Sequence, residues 1–383
     1  MIPTNSAGQT ASGSQKSQAQ SSQPDNQPLS QSPLAQLDSQ KIYSQKVQQA
    51  LTLNGAELGI CPAFANIRPQ FNIHSFAALP STNTKLWELL AAGAPSGTVV
   101  IARQQSAGKG QRGRTWQSDA GGAYLSLALE PDWPVDHSAQ LTCLSAWGIA
   151  TALNNLGINV KIKWPNDILF EGKKLGGILT ETKLAQSIQK APEGSCDDIP
   201  KPMIKQAVIG VGINWHNPVP ETGITLVNIL EGDKSPQLGK NKINCLEKLI
   251  ALVLRGILQG VVFQQQVGSQ VFMKAYQKLL TQVGQTVSLD SSGKLSLALP
   301  TVAISGNALE APRQVGKKSD ASRWANRSGE VIGVSEEGYL QVALHQAKPG
   351  SGVNQDCKQA PAKVLKTSVD NILLLKPSEI HIR

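Results

Sequence analysis

Cysteine is scarce and never paired: Cys61, Cys143, Cys196, Cys245 and Cys357 include no Cys-x-x-Cys and make an odd count. That excludes a complete disulfide framework and a thiolate zinc site, and points to a reducing compartment, the cytoplasm. The histidines, at positions 74, 137, 216, 345 and 381, never fall at metal-ligand spacing, so no histidine metal centre is expected. No apolar run reaches the roughly twenty residues that cross a bilayer, and no membrane association is expected. The start of the chain lacks the charged opening and apolar centre of a secretory signal, and no arginine precedes Arg68, as a transit peptide would need. Aromatic residues make up only 4% of the chain, too few to interleave with its cations as stacking platforms for a single strand of nucleic acid. There is no Gly-x-Ser-x-Gly elbow and no Cys-His pair to suggest a covalent nucleophile.

What is present is a basic chain of 383 residues, net charge +9 and 40% hydrophobic, enough for two or three domains with buried cores. Residues 1–37 are dominated by Ser, Gln, Asn, Pro and Thr. Such a stretch cannot bury enough surface to order itself and reads as a disordered arm. Residues 38–70 read as a helical and extended lead-in, with a helix from Ser39 to about Leu53. Over 71–282 the pattern predicts an α/β or α+β domain built on a central mixed sheet. A strand from Phe71 to Leu79 precedes a helix opened by Ser81-Thr82-Asn83 and stopped at Gly93; strands follow at Thr98 to Gln104 and Ala123 to Leu129. Ser138 is expected to cap a helix whose apolar positions Leu141, Leu144, Trp147, Ala152 and Leu156 keep helical spacing until Gly157. Ile158, Val160, Ile162 and Trp164 alternate as a half-buried strand, and Lys174 to Glu181 and Gln206 to Asn214 make two more. Two helices with a break near Gly268 fill Ile243 to Leu280. The polar insertion at 183–205 reads as an exposed loop. From 283 to 383, short β-like runs between Gly- and Lys-rich turns predict a small all-β barrel or sandwich with long loops at 305–328 and 346–363.

The most informative segment follows the strand at Thr98: Gly108-Lys109-Gly110-Gln111-Arg112-Gly113-Arg114, closed by Trp116. Its glycines let backbone approach an anion, its cations neutralise one, and the indole offers a stacking surface. Gly108-x-Gly110-x-x-Gly113 spells the dinucleotide fingerprint, but turn and strand follow where that fingerprint needs a helix, which argues against a dehydrogenase. No Gly-Lys-Ser or Gly-Lys-Thr gives a Walker loop, and no His-Arg-Asp or Asp-Phe-Gly gives a kinase. A nucleotide phosphate suits the loop; a solvated basic turn is the plain alternative.

Lys161-Ile162-Lys163-Trp164-Pro165-Asn166-Asp167 ends a strand at a proline and delivers Lys163, Asn166 and Asp167 to its exit. There a lysine can meet a phosphate or carboxylate, and Asn or Asp a ribose or a hydrated Mg²⁺. An ordinary turn is the alternative. Lys174-Leu175-Gly176-Gly177 and Gly210-Val211-Gly212-Ile213-Asn214 place glycines in strands, where a flat ligand can lie on the backbone or a bulge can form. Ser81-Thr82-Asn83 is either a helix cap or a hydrogen-bonding end for a polar ligand.

In this order these motifs resemble those of the biotin protein ligases, with the match running from about Phe76 to Tyr276. Gly329-Glu330-Val331-Ile332-Gly333 with Gly338-Tyr339-Leu340 is similar to that family's small C-terminal barrel. The resemblance implies a synthetase-like catalytic domain over 71–282 and an SH3-like barrel over 283–383. It implies formation of biotinyl-5′-AMP from biotin and ATP with Mg²⁺, then transfer of biotin to a lysine of the biotin carboxyl carrier protein of acetyl-CoA carboxylase. By the same resemblance, Lys163, Arg112 and Arg114 are catalytic, and Ser81, Thr82, Asn83, Gln105, Lys109, Gly110, Gln111, Lys163 and Gly177 bind biotin. Trp116, Asn166, Lys174 and Asn214 bind the adenylate, and Asp167 is the metal candidate. The loop is expected to be mobile when empty and to close over the adenylate. The arm does not resemble the winged helix of DNA-binding members, so no specific DNA binding is expected; a homodimer is compatible with the sequence. The family loop usually reads Gly-Arg-Gly-Arg, whereas Lys109 and Gln111 stand here. Lysine loses the bidentate fork and glutamine loses a charge, so a leakier hold on the activated intermediate is expected. A lipoate ligase or octanoyl transferase on a related fold is the near rival; a nucleic-acid binder is the remote one.

Overall fold

A computed structural model describes residues 33–185, 202–232, 243–289, 295–297, 327–345 and 372–376. Most of the arm, most of the insertion at 183–205 and nearly all of the late loops therefore lie outside the described residues. The first helix, α1 (Pro33–Leu51), begins within the segment assigned to the arm. Its buried positions Tyr43, Val47, Ala50 and Leu51 join the main core and lie in the part read as helical from the sequence, so tertiary packing holds that part of the helix.

The central sheet has eight strands: β1 (Asn72–Leu79), β2 (Thr98–Gln105), β3 (Ala123–Leu129), β4 (Trp133–Pro134), β5 (Lys161–Lys163), β6 (Asp167–Phe170), β7 (Lys173–Leu184) and β8 (Met203–Ile213). Their order is β1-β2-β3-β8-β7-β6-β5, with β4 paired to β8. Only β1 and β2 run parallel; the other pairs are antiparallel, so the sheet is mixed, as expected.

Strand alternation sorts side chains onto two faces. Val99, Ile101, Leu125, Leu127, Ile209 and Val211 point to a large core shared with α3 (Ser138–Asn155) and the long helix α5 (Leu246–Gln277). Val100, Ala128 and Val208 point the other way, beneath Leu86 and Leu90 of α2 (Thr82–Ala91). Further along β8 this second face carries glycines, with larger side chains only at their neighbours Tyr124 and Leu179. Ser126 pairs in register with Gly210, which faces Leu179, and Tyr124 pairs with Gly212, which faces Gly177. A strip of sheet is thereby cleared beside the start of α2.

Several details depart from the sequence reading. Helix α3 is capped at His137 without a side-chain bond, and Ser138 is its first helical residue. The helix is buried around most of its circumference from Gln140 to Leu153, because the sheet lies on one side and α5 crosses the other at Gly148. Ile158, Val160, Ile162 and Trp164 are all buried, and only Lys161–Lys163 forms strand. The expected break near Gly268 is a kink inside α5, where Gly268 has φ 77°. A short α4 (Leu226–Glu231), capped by the Thr225 side chain, follows β8. The C-terminal strands β9 (Thr286–Leu289), β10 (Leu295–Leu297), β11 (Ser328–Val334), β12 (Leu340–Leu344) and β13 (Ile372–Leu375) make an antiparallel sheet in the order β10-β9-β11-β12-β13. Among the described residues no pairing joins β10 to β13 into a closed barrel. No described helix is long and apolar enough to cross a membrane.

Candidate functional site

The basic loop is a short self-paired hairpin. Gln105 donates its N–H to the Ser118 carbonyl at 3.0 Å, Trp116 to Gly108 at 2.9 Å and Gly110 to Arg114 at 2.7 Å, while Ser106 and Ala107 donate to Leu79 and Pro80. Its tip turns through Arg112 (φ 59°) and Gly113 (φ 71°). Arginine in the left-handed region is uncommon, and here Arg112 lines a compartment beside the hairpin.

Between this hairpin, the start of α2 and the cleared strip lies a cleft of about 490 Å³. Ser81, Thr82 and Asn83 form one wall, and Gln105, Lys109, Gly110 and Gln111 another. Gly177, Gly210 and Gly212 belong to the floor, and Trp116, Asn166 and Lys174 stand at the far end. The glycines are needed for close approach: a Cβ on Gly210 would collide with the Asn83 amide, and one on Gly212 with the Trp116 indole. Beneath the cleft runs a continuous polar chain. Gln105 Oε1 accepts from the Thr82 N–H at 2.8 Å and faces Thr82 Oγ1 at 3.2 Å, and Gln105 Nε2 donates to Ser118 Oγ at 2.8 Å. Ser126 Oγ lies 2.8 Å from Thr82 Oγ1 and 2.6 Å from Asn83 Oδ1. Asn83 Nδ2 donates to Glu181 Oε2 at 3.0 Å, which also accepts from Trp87 Nε1 at 2.9 Å. Ser81 begins α2 without a side-chain cap bond, so this residue is not spent on the helix.

A second compartment, about 420 Å³, adjoins the cleft and shares Gln111 and Asn166 with it. Arg112, Arg114, Lys163 and Asp167 line it. Lys163 therefore lies next to the cleft rather than among the residues lining it. Burial pushes the Lys163 ammonium below the ordinary lysine value; Asp167 opposes that fall, whereas Lys174 and Arg114 add to it. Burial and then Arg114 likewise lower the Arg112 guanidinium. Arg114 thus disfavours the charge of both Lys163 and Arg112, a repulsion that a bound anion would relieve.

A third compartment, about 670 Å³, shares Trp116 and Lys174 with the cleft and is closed by Asn214 and the loop Pro218-Val219-Pro220. Lys174 is held by Asp167, Nζ to Oδ1 2.7 Å, and stands 5.0 Å from the Trp116 ring centroid. One face of the indole is thus covered by a cation where stacking on a base was expected. The indole Nε1 is buried and has no partner. Asn214 is buried, donating Nδ2 to the Lys174 carbonyl at 3.2 Å and accepting from Asn217 Nδ2 at 3.1 Å; its amide is largely committed to its own surroundings. Asp167, the metal candidate, offers one carboxylate already paired to Lys174. Mg²⁺ is commonly held by one or two carboxylates plus phosphates, so that donor set fits an ion that arrives on a nucleotide.

Every candidate residue named from the sequence thus falls in one of three compartments with shared walls. Glu181, Ser126 and Trp87 were not singled out, because their part depends on pairings between strands and a helix far apart in the chain. A carboxylate at the very end of the strand read as Lys174 to Glu181 was the one available signal.

Residues 75–191 match the family described as Biotin/lipoate A/B protein ligase family. The bifunctional ligase/repressor BirA of Bacillus subtilis (strain 168) is 39% identical over 138 residues, which are 36% of this chain and 38% of that protein. The biotin--[acetyl-CoA-carboxylase] ligase of Paracoccus denitrificans is 34% identical over 141 residues, 36% of this chain and 52% of that protein. The chain thus spans about two fifths to one half of the length of these relatives. Among solved structures, the biotin protein ligase from Aquifex aeolicus in complex with biotin and ATP superposes with a TM-score of 0.51, covering 80% of this chain and 97% of that one at 19% identity. That likeness shows the fold, a mixed sheet flanked by helices.

Proposed function

We propose, from the premise that residues 75–191 make up a biotin/lipoate A/B protein ligase family domain, that this chain is an ATP-dependent biotin protein ligase. It forms biotinyl-5′-AMP and passes the biotinyl group to a lysine of the biotin carboxyl carrier protein of acetyl-CoA carboxylase. The sharing of walls supports this reading most. Biotinyl-5′-AMP needs a polar site for its ring, cations for its carboxyl-phosphate junction and a site for its base; the cleft stands between the other two, joined to the cationic compartment by Gln111 and Asn166 and to the third by Trp116 and Lys174.

In the first step a biotin carboxylate oxygen bonds to the α-phosphorus, and the bond to the β-phosphate oxygen breaks to release pyrophosphate. Both reactants are anions, so alignment and positive charge are the main requirements. Lys163 bridges carboxylate and α-phosphate, and Arg112 and Arg114 take the leaving pyrophosphate. Mg²⁺ would enter with ATP as part of the substrate and neutralise phosphate charge, and Asp167 would be the carboxylate to hold it. The hairpin tip folds down over the adenylate and keeps water from the mixed anhydride. In the second step the carrier's lysine nitrogen attacks the acyl carbon, AMP leaves, and the amine's proton is lost. No nucleophile of the chain is required.

The test is transfer of labelled biotin to a carrier domain in the presence of ATP and Mg²⁺, with lipoate run in parallel. Biotin transfer well above lipoate transfer is expected. Preferential transfer of lipoate would move the assignment to the other branch of the family, and transfer of neither would refute it.

A further inference from the structure

We infer that Glu181 is a positioning residue that sets the direction of the hydrogen-bond chain under the cleft and, through it, what Thr82 offers a ligand. The inference rests on the biotin reading above. Glu181 lies on the cleared face of β7, with Asn83 Nδ2 and Trp87 Nε1 both donating to its Oε2 at 3.0 and 2.9 Å. Its other oxygen faces Lys109 Nζ at 3.8 Å, and the outer side of Trp87 is covered by Lys183, 4.5 Å from the ring centroid. The carboxylate is thus held from both sides.

A carboxylate only accepts, so the Asn83 amide must turn its nitrogen toward Glu181 and its oxygen toward Ser126. Ser126 has one hydroxyl proton and two oxygens in reach, Asn83 Oδ1 at 2.6 Å and Thr82 Oγ1 at 2.8 Å. Because an amide oxygen cannot donate, that proton goes to Asn83. Thr82 then spends its own proton inward, on Ser126 Oγ or on Gln105 Oε1 at 3.2 Å, and keeps a lone pair for the cleft. A ligand N–H, such as that of a ureido ring, meets an acceptor there. Without an acceptor at position 181 the amide is free to turn over, the chain can reverse, and Thr82 can present a proton instead.

The acceptor matters here more than the charge, so the conservative variant rescues. Calorimetric titration with biotin should show Glu181→Ala weakened about tenfold, the size of one lost charge-assisted hydrogen bond, and Glu181→Gln within about threefold of the parent. Ser126→Ala breaks the same chain from the other side. It should lose a similar factor, and the double variant should lose little more than either single one, since residues of one network are not additive. The rate of pyrophosphate release at saturating biotin should stay within about twofold in each, which a general structural defect would not allow. Parental affinity in Glu181→Ala, or losses that multiply in the double variant, would overturn the inference. If Glu181→Ala does not fold, parental affinity in Ser126→Ala overturns it equally. A parent chain that gives no binding heat with biotin would instead refute the functional reading itself.

Discussion

Lys163 bears the heaviest demand at the scale of single residues, because it must stay charged in a half-buried site beside two other cations. Its lowered pKa gives the sign of a pH effect. The free protein loses this proton at lower pH than an exposed lysine would, so kcat/KM for adenylation should fall as pH rises through that value. Lys163→Arg should move the alkaline limb upward, since a guanidinium stays protonated there; an unmoved limb in the pH profile would assign it to another group. Gln111 touches both the cleft and the cationic compartment, so the missing charge at this position bears directly on the acyl phosphate. Gln111→Arg should slow release of biotinyl-5′-AMP several-fold, by about the worth of one charge-assisted contact, in a single-turnover release assay; equal rates would remove the idea of a leaky loop. These residues were legible because strand exits and glycine-rich cationic loops carry local signals. Glu181 and Ser126 were not, since nothing local says that a carboxylate on β7 and a hydroxyl on β3 end on the same asparagine.

Among the elements, the antiparallel trio β3, β8 and β7 decides where the site lies. Alternation predicted the strands, and the glycines of Gly210-x-Gly212 and of Gly176-Gly177 hinted at close approach, but only the register puts Ser126, Gly210 and Gly212 side by side to clear a floor. Gly210→Ala should push Asn83 off that floor and weaken biotin binding at least tenfold with little change in the far-ultraviolet circular dichroism. Unchanged affinity would mean that the cleft has slack the structure does not show. Helix α3 shows the opposite limit of sequence reading. Its periodicity suggested one apolar face, whereas α5 and the sheet bury nearly all of it, and a helix enclosed on both sides no longer needs a polar stripe.

For the molecule as a whole, the strand exit that carries Lys163 is held by parts distant in sequence. The Trp164 N–H donates to Gln282 Oε1 at 3.0 Å, Trp164 Nε1 to the Gly338 carbonyl at 3.1 Å, and the Tyr276 hydroxyl to the Pro165 carbonyl at 2.8 Å. The end of α5 and the C-terminal sheet thus fix the cationic compartment from behind. Gln282→Leu leaves a buried N–H unpaired and should cost about 1–3 kcal/mol in denaturant unfolding, together with a loss of adenylation. Full stability in this variant would show that the tether is unimportant. This dependence of the site on the C-terminal strands could not be read from either segment alone, although the strands themselves were expected. The central claim, that the cations around the hairpin bring together a carboxylate and a triphosphate, is tested most directly by measuring biotin-dependent pyrophosphate release from ATP by the full chain and by Lys163→Ala. The account predicts release that needs biotin and falls about a hundredfold or more in the variant. No biotin-dependent release from the parent chain, or a variant within a few-fold of it, would contradict the account.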